Sequence, residues 1–141
     1  MARYLLDTNV VSEPMRPRPA PAVLRWLEAS DPLDLFLSSI TVGELVAGVG
    51  RLEPSARRRA LEQWVEEVLM PQFRGRILAF DVDAAWRWGA LVSHLGSAGR
   101  PLPAVDLHIA AIAAQHGLVL VTRNTADFAG LGLEIFDPWS N

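Results

Sequence analysis

The chain has no cysteine, which excludes disulfides, zinc–thiolate sites and cysteine nucleophiles. That absence fits a reducing cytoplasm, and a cytoplasmic protein is expected. Lysine is missing too, because all thirteen basic residues are arginines. Arginine forks suit phosphates and carboxylates better than lysine does, although a GC-rich genome would give the same bias. No run of about eighteen apolar residues occurs, so no membrane span is expected. The opening Met1-Ala2-Arg3-Tyr4-Leu5-Leu6-Asp7 reaches an acid before any long apolar stretch, unlike a signal peptide. A net charge of −3 gives no global pull toward nucleic acid.

At 141 residues the sequence suits one domain spanning 1–141, able to bury about two-thirds of its unfolded surface. Short apolar runs alternate with helical patterns. Tyr4-Leu5-Leu6 is a buried strand ending at Asp7, and 10–15 suits a helical turn before a Pro-rich loop at 14–21. A helix is expected over 22–29, a strand over 35–40, and an amphipathic helix over 55–69 with Leu61, Trp64, Val65 and Val68 on one face. Further along come a strand over 76–80, a helix over 84–95 capped by Asp83, and a Gly/Pro loop at 96–103. A nearly all-apolar helix over 104–116, a strand over 118–122, a short helix over 124–129 and a last strand over 133–136 complete the chain. This alternation predicts an α/β fold with a mainly parallel sheet of four to five strands between two helical layers. Such sheets bind ligands beyond the carboxyl ends of their strands.

Four acids fall at those joints: Asp7, Glu44, Asp106 and Asp127. Each has a local explanation. Asp7 could cap the turn after the first strand. Thr41-Val42-Gly43-Glu44 matches a capping box, in which Glu44 would satisfy the cap's backbone N–H. Asp106 lies in a first helical turn, where the macrodipole favours an acid. Asp127 could be the box partner of Asn124. Local roles do not explain why all four supply one sheet edge, where mutual repulsion demands raised pKa values or a cation. Hard oxygen donors suit Mg²⁺ or Mn²⁺.

Four segments carry a family resemblance: Leu5–Val10, Ser39–Leu45, Pro103–Ala111 and Thr122–Phe128. In that order and spacing the chain resembles PIN-domain ribonucleases, the VapC toxins of type II toxin–antitoxin systems, and above all their FitB-like branch. Phe136-Asp137-Pro138-Trp139 resembles that branch's C-terminus. The resemblance implies a three-layer α/β/α PIN-like domain with Mg²⁺ (or Mn²⁺) as cofactor. It implies that Asp7 and Asp106 are metal ligands and that Glu44 contributes through the metal or its water. The fourth acidic role is shared between Asn124, in an orienting capacity, and Asp127, supplying charge. Thr8 and Thr122 are hydroxyl candidates. Implied with these are endonucleolytic RNA cleavage, a homodimer, and a VapB/FitA-like antitoxin that occludes the site and alone contacts operator DNA.

An acidic site needs separate cations to hold RNA. Arg123, Arg16, Arg18 and Arg51 are the candidates, whereas Arg57-Arg58-Arg59 reads as a solvated helix face. The three histidines have no metal-pair spacing. Trp86 and Trp88 cannot both face one side of a helix, so one is expected against another chain. An apolar groove between the early helices would suit an antitoxin helix. Two other classes share parts of the pattern. A receiver-like domain would use Asp7 as phosphoacceptor, but no acid adjoins it and no lysine exists to hold the phosphoryl group. A non-catalytic binding module would have no need of all these acids.

Overall fold

The computed structural model describes residues 2–99 and 103–140. In chain order the elements are β1 (Tyr4–Leu6), α1 (Thr8–Ser12), α2 (Pro21–Ala29), β2 (Leu35–Ser38), α3 (Ser39–Gly50) and α4 (Ala56–Trp64). They continue as α5 (Met70–Gln72), β3 (Ile77–Leu78), α6 (Val82–Ala98), α7 (Ala104–His116), β4 (Val119–Val121), α8 (Thr125–Phe128) and β5 (Ile135–Phe136). The five strands lie in the order β3-β2-β1-β4-β5, and every pair is parallel.

Side chains alternate across the pleat of a strand, and this divides the core in two. Leu5 and Leu120 point to one side with Ile109, Ala110, Ile112, Ala113 and Phe128. Leu6 and Val121 point to the other with Val10, Val23, Leu37, Val65 and Phe73. The sheet is therefore buried on both faces, as continuous apolar strands require. Successive strands step outward from β1 to β3, then return to β4 beside β1. The chain thus switches direction between β1 and β4, where an open parallel sheet leaves a crevice.

Several expected boundaries move, each for a local reason. The strand over 35–40 stops at Ser38, whose Oγ accepts from Thr41 N at 3.0 Å and caps α3. Ser39 and Ile40 are therefore helical. The cap of α6 is Asp81, which accepts from Ala84 N at 2.9 Å, and not Asp83. That helix runs through 96–98 and ends at Gly99, whose φ of 68° suits glycine's freedom in the left-handed region. The rest of the expected loop at 100–102 lies outside the described residues.

The helix expected over 55–69 starts as α4 but passes through a π turn at Val65–Leu69 before α5. Pro71 supplies the cause, since it has no N–H and its ring clashes with the carbonyl four residues back. The inserted residue rotates the buried face. Val65, Leu69 and Phe73 are buried, while Val68 is 51% exposed instead of facing the core. The strands over 76–80 and 133–136 shrink to two residues each.

Candidate active site at the β1–β4 joint

Asp7 follows β1 directly. Its backbone N–H donates to Val121 O at 2.9 Å, which locks the residue to β4. Its carboxylate is held twice: Oδ1 accepts from Thr8 N at 2.8 Å and Oδ2 from Thr122 Oγ1 at 2.8 Å. The local explanation for Asp7 is correct as far as it goes, since it does cap α1. One oxygen suffices for that, and the other faces β4. Asp7 is only 5% exposed. Burial raises its pKa, and the bonds from Thr122 and Thr8 oppose that rise.

Glu44 is not a capping-box residue. With Ser38 as cap, the position that would complete a box is occupied by Thr41, and Glu44 lies a turn further into α3. Its Oε1 accepts instead from Thr8 Oγ1 at 2.5 Å. The capping explanation for Asn124 and Asp127 also falls. Asn124 occupies the N-cap position of α8 without a side-chain cap bond, and its own N–H donates to Thr122 Oγ1 at 3.1 Å. Both residues are exposed.

Asp106, half-buried in the first turn of α7, shows that the acids share one field. Its pKa is pushed up to about 6, first by burial and then by the negative charges of Asp7, Asp127 and Glu44. Packing explains the convergence, because α3 lies against both α1 and α7. Among the described residues no group of three Asp, Glu or His side chains could hold a metal ion as placed. The donors are carboxylate, hydroxyl and amide oxygens, a hard set of the kind Mg²⁺ or Mn²⁺ takes. The side chains fit such an ion chemically.

Around this centre a groove of about 320 Å³ runs from Thr8 and Glu44 past Ser12, Arg16, Leu45 and Arg57. Arg57, which the sequence reads as part of a solvated face, donates to Met15 O at 3.3 Å and lines that groove. Arg123 leaves the end of β4 and lies over the Trp139 ring at 5.3 Å. Arg16 lies 3.9 Å from the buried Glu13, and Arg18 and Arg51 are exposed. His108 is packed between Phe80 and Trp88, at 4.7 and 5.3 Å between ring centres. That contact turns Trp88 inward, while Trp86 is 78% exposed. Sequence reasoning passed over Ser38 and Thr41, whose buried hydroxyls connect to Thr8 and so to Glu44. The only signal was polar residues next to a strand end.

A parallel sheet with carboxylates gathered at its switch point defines a class, and comparison with known proteins agrees. The family model for the PIN domain matches residues 4–132; the chain belongs to the PIN-domain family. Among its relatives is Toxin FitB of Neisseria gonorrhoeae, 41% identical over 96% of this chain and 97% of that protein. VapC ribonuclease Y4jK of Sinorhizobium fredii is 38% identical over 96% of each. The crystal structure of FitAcB from Neisseria gonorrhoeae matches with a TM-score of 0.93 and 40% identity, covering 98% of this chain and 99% of that one. The expected α/β/α architecture and PIN resemblance are therefore correct.

Proposed function

We propose that this chain is the toxin of a type II toxin–antitoxin pair, an endoribonuclease that hydrolyses RNA phosphodiesters with Mg²⁺ or Mn²⁺. The observation that carries the reading is Asp7, pinned between Thr8 and Thr122 at the β1–β4 joint, in one electrostatic field with Asp106, Glu44 and Asp127. One PIN domain over 1–141 carries the activity. Its kinship with proteins named as a toxin and as a ribonuclease supports the assignment. No helix among the described residues is long and apolar enough to cross a membrane.

Asp7, Asp106 and Glu44 are the residues that would hold the ion. A divalent ion there supplies charge compensation for the phosphate and a lowered pKa for a bound water. The chain's own side chains do the rest. Thr122 and Thr8 fix the Asp7 carboxylate so that it does not swing toward bulk water. Glu44 or Asp127 orients the attacking water and accepts its proton. Asn124, whose backbone N–H donates to Thr122 Oγ1, would orient a phosphate oxygen. Arg123, Arg16, Arg18 and Arg51 neutralise flanking phosphates.

A receiver-like role for Asp7 fits poorly. No acid adjoins it in sequence, and the chain has no lysine to hold a phosphoryl group. The apolar surface agrees with partners. The groove beside Thr8 and Glu44 suits a VapB/FitA-like antitoxin helix that blocks the site, with operator DNA reached only through the antitoxin. Exposed Val82, Trp86 and Val92 on α6 support a homodimer; Trp86→Asp should sediment as a monomer, and an unchanged dimer would refute that face.

Induced expression tests the function directly. Growth should arrest with the wild-type chain, with new transcript ends carrying 5′-phosphates, and continue with Asp106→Asn. Equal arrest by a folded Asp106→Asn variant would contradict the reading.

A further inference from the structure

Glu44 is held by more than one neighbour. Thr8 Oγ1 lies 2.5 Å from Glu44 Oε1 and 3.1 Å from Thr41 Oγ1. Thr41 Oγ1 lies 3.2 Å from Ser38 Oγ, and Ser38 Oγ accepts from Thr41 N at 3.0 Å. Ser38 and Thr41 are wholly buried, each 0% exposed. Buried hydroxyls are costly unless satisfied, so their protons must be accounted for.

Each hydroxyl has one proton to give, and an ionised carboxylate only accepts. Thr8 therefore gives its proton to Glu44. The proton between Thr8 and Thr41 must then come from Thr41. That leaves Ser38 to supply the proton between itself and Thr41, and Ser38 in turn accepts the helix N–H. With Glu44 ionised, one order satisfies every hydroxyl: Thr41 N–H to Ser38, Ser38 to Thr41, Thr41 to Thr8, Thr8 to Glu44.

We propose that Ser38 and Thr41 are positioning residues that act through Thr8 to set the direction of the Glu44 carboxylate. The chain begins at the cap of α3 and ends on a side chain of the same helix, so capping and site geometry are coupled. Only Oε1 belongs to it, which leaves Oε2 outside the chain, where it could meet an ion or a water. This rests on the ribonuclease reading for its purpose but not for its geometry.

Thr41→Val keeps the shape and removes the hydroxyl, whereas Thr41→Ser keeps the hydroxyl. In metal-free protein, NMR should find the Glu44 side chain less ordered in Thr41→Val and restored in Thr41→Ser. Calorimetry with Mn²⁺ alone should show roughly tenfold weaker binding in Thr41→Val, the range expected for residues that orient ligands. On RNA, kcat should fall by a similar factor with KM within about twofold, as for loss of an interaction made in the transition state. The same substitution in a Glu44→Gln background should add almost nothing.

A Thr41→Val protein that melts like wild type, with Glu44 equally ordered, would overturn the proposal. So would full additivity with Glu44→Gln, which marks a general packing effect. If the wild type neither bound Mn²⁺ nor cut RNA, yet Glu44 loosened in Thr41→Val, the ribonuclease reading would fail and the positioning role would stand.

Discussion

Thr122 Oγ1 donates to Asp7 Oδ2 at 2.8 Å, joining the ends of two adjacent strands across 115 positions of sequence. Both residues are buried, with Thr122 at 0% exposure. The bond opposes the rise in pKa that burial imposes on Asp7, so it favours the ionised carboxylate as well as orienting it. Thr122→Val should therefore lower RNA cleavage by about 10–100-fold, as the loss of a ligand-orienting partner does. Steady-state cleavage checks this, with circular dichroism to confirm the fold. Activity near wild type would show that Asp7 needs no brace.

Asp106 gives a prediction in pH. Its folded pKa is about 6 against an ordinary 3.8, so the folded state keeps this proton longer than the unfolded chain. Stability from this group is therefore full below the ordinary value and is lost as pH rises through about 6. The side chain is half-exposed, so solvent screening cuts the effect to on the order of 1 kcal/mol. Metal-free Asp106→Asn should melt higher than wild type near neutral pH, with the difference shrinking below pH 4. Urea denaturation across that range measures it; a lower melting point for the variant at neutral pH would contradict the shared field.

The same acids should respond to a cation. Mn²⁺ at about 100 times its Kd should stabilise the wild type by about 2.7 kcal/mol and Asp106→Asn far less. Thermal shift with and without chelator reads the difference. Equal shifts in the two proteins would place the ion elsewhere.

Arg123 lies over Trp139 at 5.3 Å, and the turn at Pro138–Ser140 is braced by Asp137, which accepts from Trp139 N at 2.8 Å and Ser140 Oγ at 2.9 Å. If Arg123 meets one RNA phosphate, Arg123→Ala should reduce the slope of log affinity against log salt by about 0.7. Filter binding to single-stranded RNA over a salt series, in chelator, tests it. An unchanged slope would remove Arg123 from the RNA path.

Much of the architecture was legible because buried parallel strands are continuous apolar runs. Leu5-Leu6 and Leu120-Val121 each supply both cores, and the apolar helix over 104–116 has its expected bounds. The boundaries were less legible, because they depend on which of two polar residues caps a helix. Ser38 and not Thr41 caps α3, and Asp81 and not Asp83 caps α6. The π turn follows from Pro71, but its rotation of Val68 to the surface is a tertiary effect. At the site, Asp7 and Asp106 were legible as acids at joints. That Glu44 escapes a capping role became visible only once the helix start was fixed. Ser38 and Thr41 were legible only as polar residues at a strand end and a possible helix cap, since a hydroxyl chain depends on side-chain directions that no spacing encodes.

The central claim is that Asp7 and Asp106 serve one ion-dependent hydrolysis of RNA. The most direct measurement is cleavage of a defined RNA by purified wild type, Asp7→Asn and Asp106→Asn, each titrated with Mg²⁺ or Mn²⁺ after chelation. The account predicts wild-type cleavage that appears only with added ion and falls by at least about 100-fold in both variants. Robust cleavage by both variants with the metal chelated would contradict it.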